Sequence, residues 1–453
     1  MKNILKKVIK YTRVWIILFI IFNLSLCITS LFPSEIIEEN VKSSSDILLK
    51  EGNVYKISEF SSITNNNYTD AIIINEAYSI DNTDPIYSYM AMRKNYKKGE
   101  TNKVLTDTSG ELVSINANEN GETMINTVDY YNPVGELHDF LDGKIDTSIT
   151  YGRYWHGYMP IYRILLIFFD IMGIRTFLFV LFIVMFIYLM YLLKKKLGIW
   201  IAVIFGYALI MQGYFFVSYS LESSPIFIVM MVSCIILLKR IDKIKNLYMY
   251  FFIIGCITNF VDFLTVPLIT LAMPLSIYLL AKQKKEKDYK EFVKITLKST
   301  IIWFVGYTLT WVSKWIIYDI LYHEGLIKSA IIQVLYRTER YNPNSALELM
   351  EELKIFLLDN IQYILLLITI MMIIGLINVF KLNIKVKKMS EYVKENLSFF
   401  IISFMPLIWY ILLANHTILH PRFVYRHMLI FLCGILICIK NLFIIQKKKK
   451  KEI

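Results

Sequence analysis

The residues able to do chemistry fall in five short stretches of the sequence. In Tyr68-Thr-Asp70-Ala-Ile-Ile-Ile-Asn75-Glu76, Asp70 ends a polar run and precedes an apolar one. Aspartate often caps a helix at such a place; folded over a membrane cavity, the same carboxylate would accept a proton. In Asn259-Phe-Val-Asp262-Phe-Leu-Thr-Val-Pro267, a carboxylate sits deep in apolar sequence. At a helix centre it would cost on the order of 2.5–3.5 kcal/mol by insertion scales. A hairpin tip relieves much of that. Asp262 then caps a helix, binds a sugar hydroxyl, supports a neighbouring base or is the base itself.

Tyr151-Gly-Arg-Tyr-Trp-His-Gly-Tyr158 sets Arg153 and His156 among aromatic rings. The arrangement suits a phosphate head group with a sugar stacked on Trp155, and it equally suits an aromatic belt at a membrane interface. Asn415-His416-Thr-Ile-Leu-His420-Pro-Arg422, followed by Arg426 and His427, places two histidines on one helical face. Pro421 follows them and no third ligand is spaced for zinc, so no metal is expected and phosphate or hydroxyl binding is the better reading. In the loop 321–358, Arg337 and Arg340 would lie near phosphates, and Ser345-Ala-Leu-Glu348 is a capping box that opens an amphipathic helix.

The elements that must position these residues follow from composition. The chain has 453 residues, 56% hydrophobic and 19% charged, with a net charge of +12. Apolar runs long enough to span a bilayer exclude a soluble globular protein. Between Pro33 and Pro160 there are twenty acidic and ten basic side chains, about −10, which leaves about +22 for the remainder. The bases outside that segment cluster beside apolar runs, as loops kept on the cytoplasmic side do. The charge is therefore a topology signal, and nucleic acid is excluded as a partner.

A span needs roughly 20 apolar residues. Spans are expected near 14–32, 175–193, 199–218, 225–238, 247–261, 263–281, 299–320, 359–380, 397–414 and 427–446. Basic flanks on both sides of 247–281 favour a hairpin with Asp262 near its tip. The fold class is a polytopic α-helical membrane protein of about ten transmembrane helices, with a large α+β extracytoplasmic loop after the first. Residues 1–32 form a basic start and a retained signal anchor, 33–160 the outer loop domain, and 161–453 the bundle with outer loops 321–358 and 415–426. Within the outer segment, 34–50 reads as an amphipathic helix. Both termini are expected in the cytoplasm of a bacterial cell.

All six histidines fall outside or at the outer boundary in this topology, which makes an extracytoplasmic site the default. The inner loops are short and carry no nucleotide-binding motif. The five cysteines lie in expected spans and form no disulfide framework.

The layout resembles the GT-C class of multispan glycosyltransferases: an inner N-terminus, one span, a large outer loop, then a bundle with further outer loops. The phrases at 151–158, 259–268 and 415–426 also look like those of uncharacterised bacterial multispan proteins. The resemblance implies a polyprenyl-phosphate-linked sugar as donor, a cell-envelope glycan or lipid-linked acceptor, and an acid of the first outer loop as base or acceptor binder. No cofactor is expected. By position the acid is Glu35, Glu38, Glu39, Asp46 or Asp70. Asp70 is preferred because Glu35 to Asp46 alternate with apolar residues, as an exposed amphipathic face does. No Asp-x-Asp pair follows the first span, a departure from the class. In the implied mechanism Asp70 takes the acceptor proton, Arg337, Arg340 or Arg422 stabilises the departing phosphate, and His156 and Asp262 orient sugar and base. Asp70→Asn is then expected to abolish transfer. A lipid-linked glycan flippase or transporter, a glycan polymerase and a non-catalytic scaffold are the competing readings.

Overall fold

The computed structural model describes residues 2–56, 64–95, 104–105, 112–117, 123–127, 132–338, 375, 384–420 and 424–445. Most of these are helical. Apart from Gly375, the expected span at 359–380 lies outside the described residues, as do Arg340, Arg422 and the capping box at Ser345.

Helix α1 (Lys2–Ser30) starts well before the expected residue 14, because Lys6, Lys7 and Lys10 continue the helix instead of interrupting it. Ile16, Ile17, Ile20, Ile21, Leu24 and Ile28 are exposed along it, a surface suited to hydrocarbon and not to water. The segment that follows is built from α2 (Glu38–Glu51), α3 (Asn67–Tyr78), α4 (Pro85–Ala91) and α5 (Pro133–Leu141). Its strands pair antiparallel. Strand β1 (Val54–Lys56) pairs with β2 (Thr64–Asn66), β3 (Arg93–Asn95) with β7 (Ser148–Thr150), and β5 (Leu112–Ala117) lies between β4 (Val104–Leu105) and β6 (Thr123–Thr127). Helix α2 buries Val41, Ser44, Ser45 and Leu48, the spacing of one helical face, so the expected amphipathic helix is present over 38–51. Asn132 caps α5, its side chain accepting the Gly135 N–H, with Pro133 following at a position where no N–H is needed.

The bundle continues with α6 (Met159–Phe168), α7 (Ile171–Leu197), α8 (Ile199–Met211), α9 (Ser224–Arg240), α10 (Leu247–Val261), α11 (Ile269–Gln283), α12 (Tyr289–Tyr322), α13 (Leu326–Thr338), α14 (Met389–Leu412), α15 (Ala414–Leu419) and α16 (Met428–Leu442). A short pair, β8 (Ile384–Val386) with β9 (Phe443–Ile445), joins the flanks of α14 and α16. Five helices among the described residues are long and apolar enough to cross a membrane: Leu5–Ser30, α7, α12, α14 and Tyr425–Leu442. The expected spans between 199 and 281 are shorter. Helix α8 stops at Gln212, where Gly213 turns left-handed at φ 70° and a 3-10 turn runs over Tyr214–Tyr219. The break at Asp262 leaves α10 and α11 with 15 residues each, about 22 Å.

The basic ends of α7 and α11 meet beyond α9, where Asp242 lies 3.5 Å from Lys196 and 2.6 Å from Lys285. At the opposite end α6 and α7 pack against α2, and α6 also against α3. Helices α10 and α12 approach closely through two glycines. A Cβ at Gly255 would collide with the Trp303 carbonyl, and one at Gly306 with the Phe252 carbonyl. That approach sets the C-terminal end of α10 beside Tyr307.

Candidate functional site

The loop Tyr151–Tyr158 is fixed on several sides. Helix α12 presents Tyr307, Thr310, Trp311, Lys314, Trp315 and Tyr318 at helical spacing, one face of the helix. The Arg153 carbonyl accepts the indole N–H groups of Trp311 and Trp315 at 2.8 and 2.9 Å. The Trp155 indole donates to the Thr310 carbonyl at 2.8 Å. The Lys314 ammonium donates to the Tyr154 carbonyl and lies 5.5 Å from the centre of the Trp155 ring. From the other side, Gly157 N–H donates to the Phe260 carbonyl at 2.8 Å, where any Cβ would clash with Phe260. Trp155 is thus a buried wedge; in this arrangement its ring is packed on Phe19 and Phe260.

His156 sits at φ 54°, a left-handed conformation uncommon for a side-chain-bearing residue. Its Nε2 is 2.9 Å from the Tyr151 carbonyl, which can only accept, so the Nε2 proton is fixed there. Nδ1 then faces the Tyr158 hydroxyl at 2.6 Å and Glu76 Oε2 at 3.1 Å. The Tyr158 hydroxyl is 3.3 Å from the same Glu76 oxygen. Glu76 comes from α3, is fully buried, and its Oε1 has no hydrogen-bond partner among the described residues. Burial, with Glu76 beside it, holds the Tyr158 phenol well above its ordinary value.

Cations surround Tyr151 one position away. Lys94 Nζ is 6.0 Å and the Arg153 guanidinium 5.5 Å from its ring centre. Burial pushes the Tyr151 phenol up, while Arg153 and Arg337 oppose that rise. Arg153 donates to Ser329 at 3.3 Å and Arg337 to His416. Neither guanidinium forms an ion pair among the described residues. His416 Nε2 lies 2.9 Å from the Leu264 carbonyl, so its Nδ1 is the acceptor for Arg337. Burial first, then Arg337, keeps this imidazole well below its ordinary pKa and so neutral.

Asp262 ends α10 and opens the turn that carries Leu264. Its Oδ1 accepts the Thr265 N–H at 3.0 Å and the Thr265 hydroxyl at 2.6 Å; Oδ2 meets the Tyr307 hydroxyl at 3.5 Å. Burial raises Asp262 to about 6 against the opposing pull of the Thr265 hydrogen bonds. Phe263, the next residue, packs its ring 5.1 Å from His156 and 4.9 Å from Tyr158.

The structure therefore gathers Arg153, Trp155, His156, Asp262, Arg337 and His416 at one end of α10 and α12. Asn415 is beside them, its amide donating to the Tyr336 carbonyl at 2.7 Å, and the His420 ring is 4.7 Å from that of His416. Asp70 lies elsewhere. It is fully buried with Oδ2 3.5 Å from Arg175 and Oδ1 accepting the Leu221 N–H at 2.9 Å. Arg175 also binds Glu51 and Asn67, each at 2.9 Å. Arg426 reaches the same turn as Leu221, donating to Ser223 at 3.3 Å. No trio of His, Cys, Asp or Glu among the described residues could hold a metal ion.

Glu76 and Lys314 are the functional candidates that sequence reasoning passed over. Glu76 was in view as the last residue of the Asp70 stretch, yet only the fold brings it to His156. Lys314 carried a signal of its own, a charge at mid-face of an apolar helix. No family model, curated protein or solved structure matches this chain.

Proposed function

We propose that this chain is a membrane glycosyltransferase that takes a sugar from a polyprenyl-phosphate donor at the extracytoplasmic face. The observation that carries the reading is the pair Arg153 and Arg337, two guanidinium groups without ion-pair partners among the described residues, beside a buried acid–histidine–phenol network. Surplus positive charge in a desolvated centre favours an anionic ligand, and guanidinium groups suit phosphate. The donor would be activated before it arrives, because the expected topology provides no outer nucleotide supply.

In the reaction the acceptor oxygen bonds to the anomeric carbon as the bond from that carbon to the phosphate oxygen breaks. The electron pair leaves with the phosphate, whose growing charge is met by Arg153 and Arg337. The acceptor hydroxyl proton passes to Glu76, whose second oxygen is braced by His156 and Tyr158. Asp262 holds the turn that places Leu264 and Phe263, and Trp155 and Trp311 keep the loop in register. Asp70 is held apart from this network by the Arg175 guanidinium and the Leu221 N–H and is given no part in the step. Multi-pass insertion with both termini in the cytoplasm belongs to the same proposal.

The experiment is two-part. Purified protein is titrated with a short-chain polyprenyl phosphate while tryptophan fluorescence is followed, and a strain lacking the chain is profiled for surface glycans. Saturable binding lost on Arg153→Ala and Arg337→Ala, with one sugar missing from the profile, supports transfer. An unchanged profile, or binding indifferent to both arginines, sinks it. A second reading, a carrier for lipid-linked glycans, is favoured by one feature, the interrupted α10–α11 hairpin, since carriers bind at broken helices; inner-leaflet lipid accumulation would mark it.

A further inference from the structure

We propose that the basic ends of α7 and α9 form a binding site for one anionic phospholipid, its phosphate held between Lys195 and Lys239 and its acyl chains lying along the two helices. The inference goes beyond the transfer reading and does not depend on it.

Helical spacing makes the surface. Val180, Val184, Tyr188, Tyr191 and Lys195 follow one another at steps of three or four, so they share one face of α7. Val232, Ile236 and Lys239 repeat the pattern on α9. All of these side chains are exposed, and the apolar ones suit hydrocarbon better than water. The two stripes are adjacent, because Lys239 Nζ of α9 lies 5.1 Å from the centre of the Tyr188 ring of α7. Each stripe runs apolar and ends in a lysine, the order in which acyl chain and head group follow in a lipid.

Charge decides the head group. Lys195 Nζ is 5.6 Å from the centre of the Tyr191 ring and 3.4 Å from its hydroxyl. The Tyr188 and Tyr191 rings are nearly parallel, 6.5 Å apart at 17°. Neither Lys195 nor Lys239 forms an ion pair among the described residues, and Lys194 and Arg240 beside them form none either. By contrast, Lys196 and Lys285 share Asp242, and Lys294 has Glu291. Uncompensated positive charge next to two exposed phenols favours an anion whose oxygens accept hydrogen bonds, and basic surfaces between membrane helices take phosphate head groups. A soluble phosphate would use the lysines and leave the apolar stripes bare. A zwitterionic lipid would use the stripes and bring its own cation against the lysines.

The test uses the full chain purified in a nonionic detergent. Its unfolding midpoint is followed as phosphatidylglycerol, phosphatidylcholine or inorganic phosphate is added at constant ionic strength. A saturable rise with phosphatidylglycerol, smaller with phosphatidylcholine and absent with inorganic phosphate, is the expected result. Lys195→Gln and Lys239→Gln should each weaken the apparent affinity about fivefold. Tyr188→Leu with Tyr191→Leu should weaken it at unchanged charge. Lys290→Gln with Lys298→Gln takes two charges from the basic end of α12 and should leave it nearly unchanged, as should Arg153→Ala. No rise, an equal rise with phosphatidylcholine or inorganic phosphate, or an equal loss in either control overturns the proposal. So does a self-association that the lysine variants abolish, which would assign the face to a second copy of the chain.

Discussion

Glu76 and His156, eighty residues apart, meet with His156 Nδ1 3.1 Å from Glu76 Oε2 while both side chains are fully buried. The Tyr158 hydroxyl touches both partners, so three groups contend for the same protons. With Nε2 committed to the Tyr151 carbonyl, Nδ1 either accepts from Tyr158 or, once protonated, donates to Glu76. The Glu76 oxygen outside this network is the one left to meet a ligand hydroxyl.

Glu76→Gln keeps the shape and removes the charge. Transfer is expected to fall by about 10² to 10⁴, the usual contribution of a positioned acid–base group, while the polyprenyl phosphate binds with unchanged affinity. Steady-state transfer and fluorescence titration on the same preparation check both halves. Transfer at half the parent rate or better would remove Glu76 from the mechanism.

Asp70 and Arg175 make a different prediction. Arg175 joins Asp70, Glu51 and Asn67, which ties α2 and α3 to the first turn of α7. Arg175→Met would take the guanidinium away from the buried Asp70 carboxylate and from Glu51, at a cost of about 3–5 kcal/mol. The unfolding midpoint should drop sharply. Asp70→Asn removes the charge along with the ion pair and should cost less, with transfer in the folded fraction kept above that of Glu76→Gln. If Asp70→Asn abolishes transfer at full stability, Asp70 is the base after all.

Much of the frame was legible because apolar runs and lysine clusters act locally. Helix α2, the long spans α7 and α12, and the turn at Asp262 all follow from residue order. The centre was only half legible. Arg153, Trp155 and His156 announce themselves within eight residues, and Arg337 with His416 each stand out in polar loops. Their convergence depends on tertiary contacts that leave no local trace, such as Gly306 passing the Phe252 carbonyl or Gly157 meeting Phe260. The surroundings of Asp70 were hidden for the same reason. Its partner Arg175 opens a helix more than a hundred residues on, and nothing near Asp70 in sequence hints at a guanidinium. The short α8, α10 and α11 were read as full spans because apolar composition continues through breaks that a glycine at φ 70° and an aspartate impose.

Gly306 lends itself to a steric test of how the centre is assembled. Gly306→Ala forces α12 away from α10, with an overpacking cost of about 1–3 kcal/mol. The same shift would part Tyr307 from Asp262 and disturb the turn that packs Phe263 on His156, so transfer should fall alongside stability. Gly325→Ala, at φ 70° in the open turn before α13, meets no neighbouring atom and should leave transfer intact while straining only its own backbone. Equal losses in both variants would mean that the α10–α12 approach has no special part in the site.

Asp262 predicts the sign of a pH dependence. Its ordinary value is 3.8, and burial raises it to about 6 in the folded chain. An acid raised on folding favours the folded state when protonated. Its contribution is therefore fully present below about pH 4 and lost as pH rises through about 6. The interval corresponds to about 3 kcal/mol at most. The wild-type chain, measured against Asp262→Asn in the same buffer, should lose relative stability over that window and stay level from pH 7 to 9. Other groups titrate in the same range, and taking the difference between the two proteins removes those that Asp262 does not influence. A relative stability that stays flat from pH 4 to 7 would show that Asp262 is ionised throughout, satisfied by Thr265 and its turn alone.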